Sequence, residues 1–450
     1  MNTRDPIHVV FAGGGTGGHL FPGLAVAGRL REQMPSVRVT FAGSGRPLER
    51  EHVAAAGYAH LALRCRPLPR RPWHLASFLA ENLAGYLAAR RFVRRQNVGL
   101  VVGLGGFASV PMARAAIALR RPLVLLEQNA VPGRATRWLA RRAAAVCLTL
   151  PESRCHFHPA CTLHVTGNPI REGFLQGARD ENAASFPGSA WERTAREALP
   201  PLALCLRLAR GHGREGVDIR EGGAWDAVRC QAEPGNEGSR RSLPSSAFPG
   251  GAWERGDPLR QWQLLVLGGS GGARALNENV PRALGRLGRR LAGWSVVHQS
   301  GAAGFDATRR LYQQLGVPAT VVPFVADVPR ALAASDLAVC RAGGTTLAEL
   351  AAAGVPGVLV PYSHAADDHQ RRNAEAYAAS GGCLVVEQRG PAGPLDARLA
   401  ETLAALVPDA RLRRAMSRSL RRLARPRAAE DVTGLIGRLC CRVRETHHNP

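Results

Sequence analysis

The stretch Gly13-Gly14-Gly15-Thr16-Gly17-Gly18-His19-Leu20-Phe21-Pro22-Gly23 decides how this chain is read. Before it stands Ile7-His8-Val9-Val10-Phe11-Ala12, a short apolar run with the character of a buried parallel strand. After it comes Leu24-Ala25-Val26-Ala27-Gly28-Arg29-Leu30, apolar at helical spacing. A glycine loop therefore joins a strand to a helix, where backbone N–H groups and the helix dipole attract a phosphate or another anion. Gly13, Gly15 and Gly18 meet the spacing G-x-G-x-x-G, a weak pattern by itself. His19 adds a titratable ring at the start of the helix. The same residues also suit a tight turn with a surface histidine, so the stretch needs support from the rest of the chain.

The chain has 450 residues, room for two or three domains with their own cores. No apolar run approaches the ~20 residues of a membrane span, and the first residues lack a signal-peptide core, so a cytoplasmic location is expected. Ten cysteines show no C-x-x-C pair, and reduced thiols are the default. All 59 basic residues are arginine, which excludes a Walker A loop and Schiff-base chemistry, both dependent on lysine. A net charge of +24 points to an anionic partner. Aromatic residues make up only 5% and form no basic, base-stacking stripe, so a lipid surface or a diphosphate is favoured over nucleic acid.

Outward from the first loop, further strands are expected at 37–43, 98–104, 122–126, 144–148 and 163–166. The second ends Phe41-Ala42-Gly43-Ser44, without the ribose-binding carboxylate of a dinucleotide enzyme. Residues 72–95 hold Trp73, Leu75, Phe78, Leu79, Leu83, Tyr86 and Leu87, then Arg90, Arg91, Arg94 and Arg95. This amphipathic helix either faces the core or rests on a membrane surface. From about 183 to 258 periodicity is lost, and Ser185-Phe186-Pro187-Gly188-Ser189-Ala190-Trp191-Glu192-Arg193 recurs imperfectly as Ala247-Phe248-Pro249-Gly250-Gly251-Ala252-Trp253-Glu254-Arg255. A disordered or loosely packed insertion at a domain junction is expected there. The first pattern then repeats: strand 262–267, glycine loop Gly268-Gly269-Ser270-Gly271-Gly272, helix. Strands at 294–299, 319–324, 337–341 and 355–361 follow, and helices at 409–424 and 429–444 end the chain.

Two Rossmann-like α/β halves are thus expected: an N-terminal domain over 1–182, the insertion over 183–258, a C-terminal domain over 259–428 and a closing helix within 429–450. In order along them stand Gly14-Gly15-Thr16-Gly17-Gly18-His19, Glu127-Gln128-Asn129, Gly167-Asn168-Pro169-Ile170-Arg171, Gly268-Gly269-Ser270, Arg341-Ala342-Gly343 and His369-Gln370. This series resembles the MurG family of peptidoglycan N-acetylglucosaminyltransferases. The resemblance implies a GT-B fold and inverting transfer of N-acetylglucosamine from UDP-N-acetylglucosamine to O4 of the N-acetylmuramic acid of lipid I, giving lipid II. It implies a peripheral enzyme on the cytoplasmic face of the inner membrane, near anionic lipids, using no metal or other cofactor. Its closing helix is expected to return to the first domain.

By the same resemblance, Arg171 and the backbone at Val325 contact uracil, Glu349 accepts from the ribose, and Gln370 reads the sugar hydroxyls. Asn129 lies near the sugar. Ser270, Gly344, Thr345, Thr346, Leu347 and Ala348 complete the donor site, with backbone N–H groups from Thr16, Gly17 and Gly18. A sugar hydroxyl needs a general base, and His19, as an imidazole of near-neutral pKa, is assigned that part. Two rival readings are another UDP-sugar transferase and an inactive sugar-nucleotide-binding protein.

Overall fold

The computed structural model describes residues 6–15, 17–69, 71–174, 261–269, 271–363, 365–390 and 392–446. The expected insertion, Thr16 and Ser270 lie outside them. The first domain is a seven-stranded sheet of β1 (His8–Gly13), β2 (Arg38–Gly43), β3 (Ala59–Ala62), β4 (Val98–Gly105), β5 (Leu123–Glu127), β6 (Ala145–Leu148) and β7 (Leu163–Val165). All pairings are parallel, in the order β3-β2-β1-β4-β5-β6-β7. The second domain is a six-stranded parallel sheet of β8 (Trp262–Leu267), β9 (Trp294–Gln299), β10 (Thr320–Val322), β11 (Leu337–Cys340), β12 (Gly357–Leu359) and β13 (Cys383–Val385), ordered β10-β9-β8-β11-β12-β13.

The central strands β1 and β4 are buried along their whole length, because helices cover both faces and every side chain finds apolar neighbours. In each sheet the strand order reverses once, between β1 and β4 and between β8 and β11. Loops leaving those strands diverge to opposite faces and open a crevice at the sheet's carboxyl edge. The two glycine loops, the turn after β4 and the Arg341–Gly344 segment therefore all stand at switch points.

α1 (Gly17–Gln33), α2 (Pro47–Ala55) and α3 (Leu75–Arg95) belong to the first domain. The last helix, Ala428–Thr446, places Val432, Leu435, Ile436 and Cys440 in the first domain's core beside Val9, Leu20 and Val26. Arg29 of α1 meets Glu430 at 3.0 Å. Conversely, Ala130, Leu150, Ile170 and Phe174 pack into the core of the second domain with Leu347 and Tyr377. The chain has thus already joined the second domain's core by residue 170.

α3 presents Leu75, Leu79, Leu83 and Leu87 to solvent, each between 45% and 57% exposed, and buries Gly85, Ala89 and Val93 instead. A Cβ on Gly85 would stand 1.9 Å from the Arg64 carbonyl oxygen, so the small-residue face is the only one that fits. The core-facing reading of the leucine stripe is thereby overturned. Among the described residues, no helix is long and apolar enough to cross a membrane.

Candidate functional site

His19 stands in the first turn of α1, partly buried. Its ring lies on the turn after β4: a Cβ on Gly105 would come within 2.9 Å of Cδ2 and 3.2 Å of Nε2. Gly105 has φ +100°, so glycine is required there both for the backbone and for the ring. Burial, then the charge of His369 from the opposite domain, lowers the His19 pKa to about 4. The expectation of a near-neutral imidazole is corrected: the enclosed ring sheds its proton earlier and stays neutral across the physiological range.

The first glycine loop also departs from expectation. The loop as a whole is expected to hold an external anion, and its Gly15 N–H donates to the Glu49 carboxylate of α2. Gly17 is buried and Gly18 exposed, and the Gly18 carbonyl accepts from Thr345 Oγ1 at 2.7 Å across the domain boundary.

Thr345 belongs to the helix Gly344–Ala353, which starts at the switch point after β11. A Cβ on Gly344 would lie 2.1 Å from the backbone oxygen of Gln128, so the two domains touch here backbone to backbone. Asn168 Nδ2 donates to Thr345 Oγ1 at 3.3 Å. Asn373 fastens the next contact: its Oδ1 accepts from Ala130 N–H at 2.7 Å, and its Nδ2 donates to Asn129 Oδ1 and the Ala342 carbonyl, each at 3.1 Å. On the exposed rim, Asp367 pairs with Arg134 at 3.1 Å and Arg137 at 3.3 Å.

Expected site residues from both domains meet here: Gly18 with Thr345, and Arg171 with Glu349. Asn129 is held from below by Glu127, whose Oε1 accepts from the Asn129 backbone and side-chain amides at 3.1 Å. Burial raises the Glu127 pKa, opposed by those bonds and by Gly133 and Thr136. Arg171 Nε stands 3.4 Å from Glu349 Oε1, and its guanidinium lies 4.0 Å from the centre of the Phe21 ring. Burial raises the Glu349 pKa, and Arg171 pulls it back. Val325 and Leu347 are buried, while Thr346 and Ala348 are partly accessible. Gln370 Oε1 accepts from Tyr362 N–H at 3.0 Å, which orients its amide.

Among the described residues, Gln128 Oε1 and Asn168 Oδ1 are buried in this cleft without a hydrogen-bond partner, and Arg171 Nε and Glu349 Oε1 there face each other at 3.4 Å without forming a hydrogen bond. Buried polar atoms are normally satisfied, so their clustering marks a polar ligand site. No three His, Cys, Asp or Glu side chains among the described residues gather as metal ligands. Sequence reasoning missed Glu49 and Asn373. Asn373 stands one helical turn after Gln370, a faint signal; Glu49 offered none, because its partner is 34 residues away.

The second glycine loop rests on a buried network. A Cβ on Gly272 would meet the Ser300 carbonyl at 2.0 Å. That oxygen accepts from Asn277 Nδ2 at 2.8 Å. His298 Nε2–H donates to Asn277 Oδ1 at 3.1 Å, and Nδ1 accepts from the Tyr312 hydroxyl at 2.9 Å. Burial lowers the His298 pKa to about 3; burial first, with the Arg38 charge also acting, lowers His8 to about 4. Unfolded histidines near 6.5 take up protons before these two do, so stability falls as pH drops from 6.5 toward 4. His19, lowered in the same way, adds to the effect, and between pH 7 and 5 the three rings should remove about 2 kcal/mol each. Urea denaturation at the two pH values checks this, and His298→Asn should remove about a third of the difference. Equal midpoints at both pH values would show that these rings do not stay neutral.

Residues 9–148 match the glycosyltransferase family 28 N-terminal domain, and residues 263–432 match its C-terminal domain. A relative from Methylococcus capsulatus, a UDP-N-acetylglucosamine–N-acetylmuramyl-(pentapeptide) pyrophosphoryl-undecaprenol N-acetylglucosamine transferase, is 36% identical over 428 residues, covering 94% of this chain and 96% of its own. A protein of the same name from Trichlorobacter lovleyi is 34% identical over 386 residues, covering 84% and 85%. The crystal structure of Acinetobacter baumannii MurG superposes with a TM-score of 0.63 at 26% identity, covering 96% of this chain and all of that one. Two switch-point clefts joined by a returning C-terminal helix, both family 28 domains and relatives of this similarity lead to one assignment: the chain belongs to the MurG family of GT-B glycosyltransferases.

Proposed function

We infer that this chain moves N-acetylglucosamine from UDP-N-acetylglucosamine to O4 of the N-acetylmuramic acid of lipid I, forming lipid II and UDP. The observation that carries the reading is His19 at the mouth of the acceptor-side loop, one residue from the Gly18–Thr345 contact to the opposite domain. The name shared by the relatives supplies donor and acceptor. The acceptor O4 attacks the anomeric carbon from the face opposite the diphosphate, and its proton passes to a ring nitrogen of His19. The bond between that carbon and the diphosphate oxygen breaks, and UDP leaves with the electron pair. A neutral imidazole is ready to accept the proton, and the donor's negative charge, once bound, makes it more basic.

Charge building on the departing diphosphate is met by N–H groups at the start of the helix Gly344–Ala353, with Thr346 beside them. The reading gives Arg171 and the backbone at Val325 to the uracil and Glu349 to the ribose. It gives Gln370 and Asn129 to the sugar and Ser270 to the diphosphate. A transfer assay with purified full-length protein, radiolabelled UDP-N-acetylglucosamine and a lipid I analogue tests the reaction. Label should appear in lipid II; label that reaches only another acceptor, or none, would overturn it.

Lipid I hangs in the inner leaflet, and we place the first domain against that surface through α3. Support comes from the exposed row Leu75, Leu79, Leu83 and Leu87, with Trp73 68% exposed just ahead of it and Arg91, Arg94 and Arg95 exposed at the far end. Each arginine is worth about 1 kcal/mol at an anionic surface and is weakened by salt. Co-sedimentation with anionic vesicles should fall at moderate salt, and more than tenfold when Arg90, Arg91, Arg94 and Arg95 all become Gln. Binding indifferent to both would remove α3 from membrane contact.

A further inference from the structure

Glu49 is 1% exposed, yet it is a carboxylate inside the first domain that no arginine pairs with among the described residues. Its Oε1 accepts from the Gly15 N–H and from Ser44 Oγ at 2.8 Å. Its Oε2 accepts from the Gly45 N–H at 2.7 Å, and His60 Nε2 stands 3.6 Å away. The glycines around it follow from this arrangement. A Cβ on Gly14 would sit 3.0 Å from Oε1, and one on Gly43 would sit 2.7 Å from Oε2. Two backbone N–H groups and a hydroxyl therefore converge on an anion that the protein supplies itself, the geometry a glycine-rich loop otherwise offers to a phosphate.

We propose that Glu49 is a positioning residue for transfer: its carboxylate ties the Gly15 N–H of the first glycine loop to Ser44 and Gly45 of the turn after β2, and so sets the entry of α1 that carries His19. The loop connects Gly15, bonded to Glu49, to Gly18, which accepts from Thr345, and then to His19. Arg46 adds a bond from its Nη1 to the Gly15 carbonyl at 3.2 Å, so both sides of that peptide are held. With its N–H committed internally, Gly15 contributes nothing to an acceptor diphosphate. The desolvation that burial imposes on Glu49 is more than balanced by His60 and by its three hydrogen bonds, and its pKa lies below the usual carboxylate value. It therefore remains an anion at working pH.

This inference rests on the transfer reading, and wild-type protein in the lipid I assay tests that reading separately. Glu49→Gln keeps the shape but turns an acceptor into an N–H₂ donor facing Gly15 or Gly45. Turnover should fall at least about tenfold while the KM for UDP-N-acetylglucosamine stays within about twofold, since misplacing a catalytic group costs rate rather than donor grip. Glu49→Ala opens a space of carboxylate size lined by the same donors, and millimolar formate should restore turnover there but not in Glu49→Gln. If Glu49→Ala does not fold, the split between turnover and donor KM in Glu49→Gln decides alone. Unchanged turnover in an active background would overturn the proposal. So would a loss that merely follows the folded fraction, or formate that rescues nothing in a folded Glu49→Ala.

Discussion

His19→Ala lowers turnover by roughly 10²–10⁴-fold, the usual contribution of a positioned general base. Donor affinity changes little, because the groups assigned to the nucleotide come from the second domain and from Arg171. The low pKa adds a second signature. With the ring of the free enzyme protonated only below about 4, kcat/KM in the wild type stays level from pH 7 to 5.5. A base of ordinary histidine pKa would already have lost most of its activity at the lower value. Single-turnover transfer to a lipid I analogue measures both, and near-normal turnover in His19→Ala would remove the ring from the mechanism.

Gly344→Ala is the second large effect, and it works on closure rather than chemistry. Its added Cβ lies 2.1 Å from the Gln128 carbonyl oxygen, with the Cβ fixed directly to the helix backbone and the oxygen part of the backbone just after β5. Neither can yield locally, so the domains must part. Parting lengthens the Thr345–Gly18 bond of 2.7 Å and the Asn373–Ala130 bond of 2.7 Å. An ångström of misplacement can cost about 10²-fold in rate, and a loss of that size is expected. Each domain should fold normally, because residue 344 already has helical backbone and alanine is the better helix former. Small-angle scattering should show a larger radius of gyration in the variant. Wild-type turnover with unchanged dimensions would mean that the closed contact is not needed for transfer.

The sheets were legible in one dimension wherever a strand is buried on both faces, because such a strand must be a short unbroken apolar run. β1, β4, β8 and β11 stand out in this way. β3 and β13 did not: each lies at a sheet edge, and β3 is half-exposed Ala59-His60-Leu61-Ala62, with no pattern to see. The ordered motifs likewise carried the family and the expected site residues, since glycine loops at strand ends are local features. Three things only the tertiary structure decided. The leucine row of α3 looked equally suited to the core, and it was the close approach of Gly85 to Arg64 that turned it outward. The pKa of His19 depends on the turn after β4 and on His369, both remote in sequence, whose burial and charge no spacing encodes. The first glycine loop read as a cradle for an outside anion. Folding brought Glu49 into it from 34 residues away, because a backbone N–H donates to whichever anion the packing places nearest.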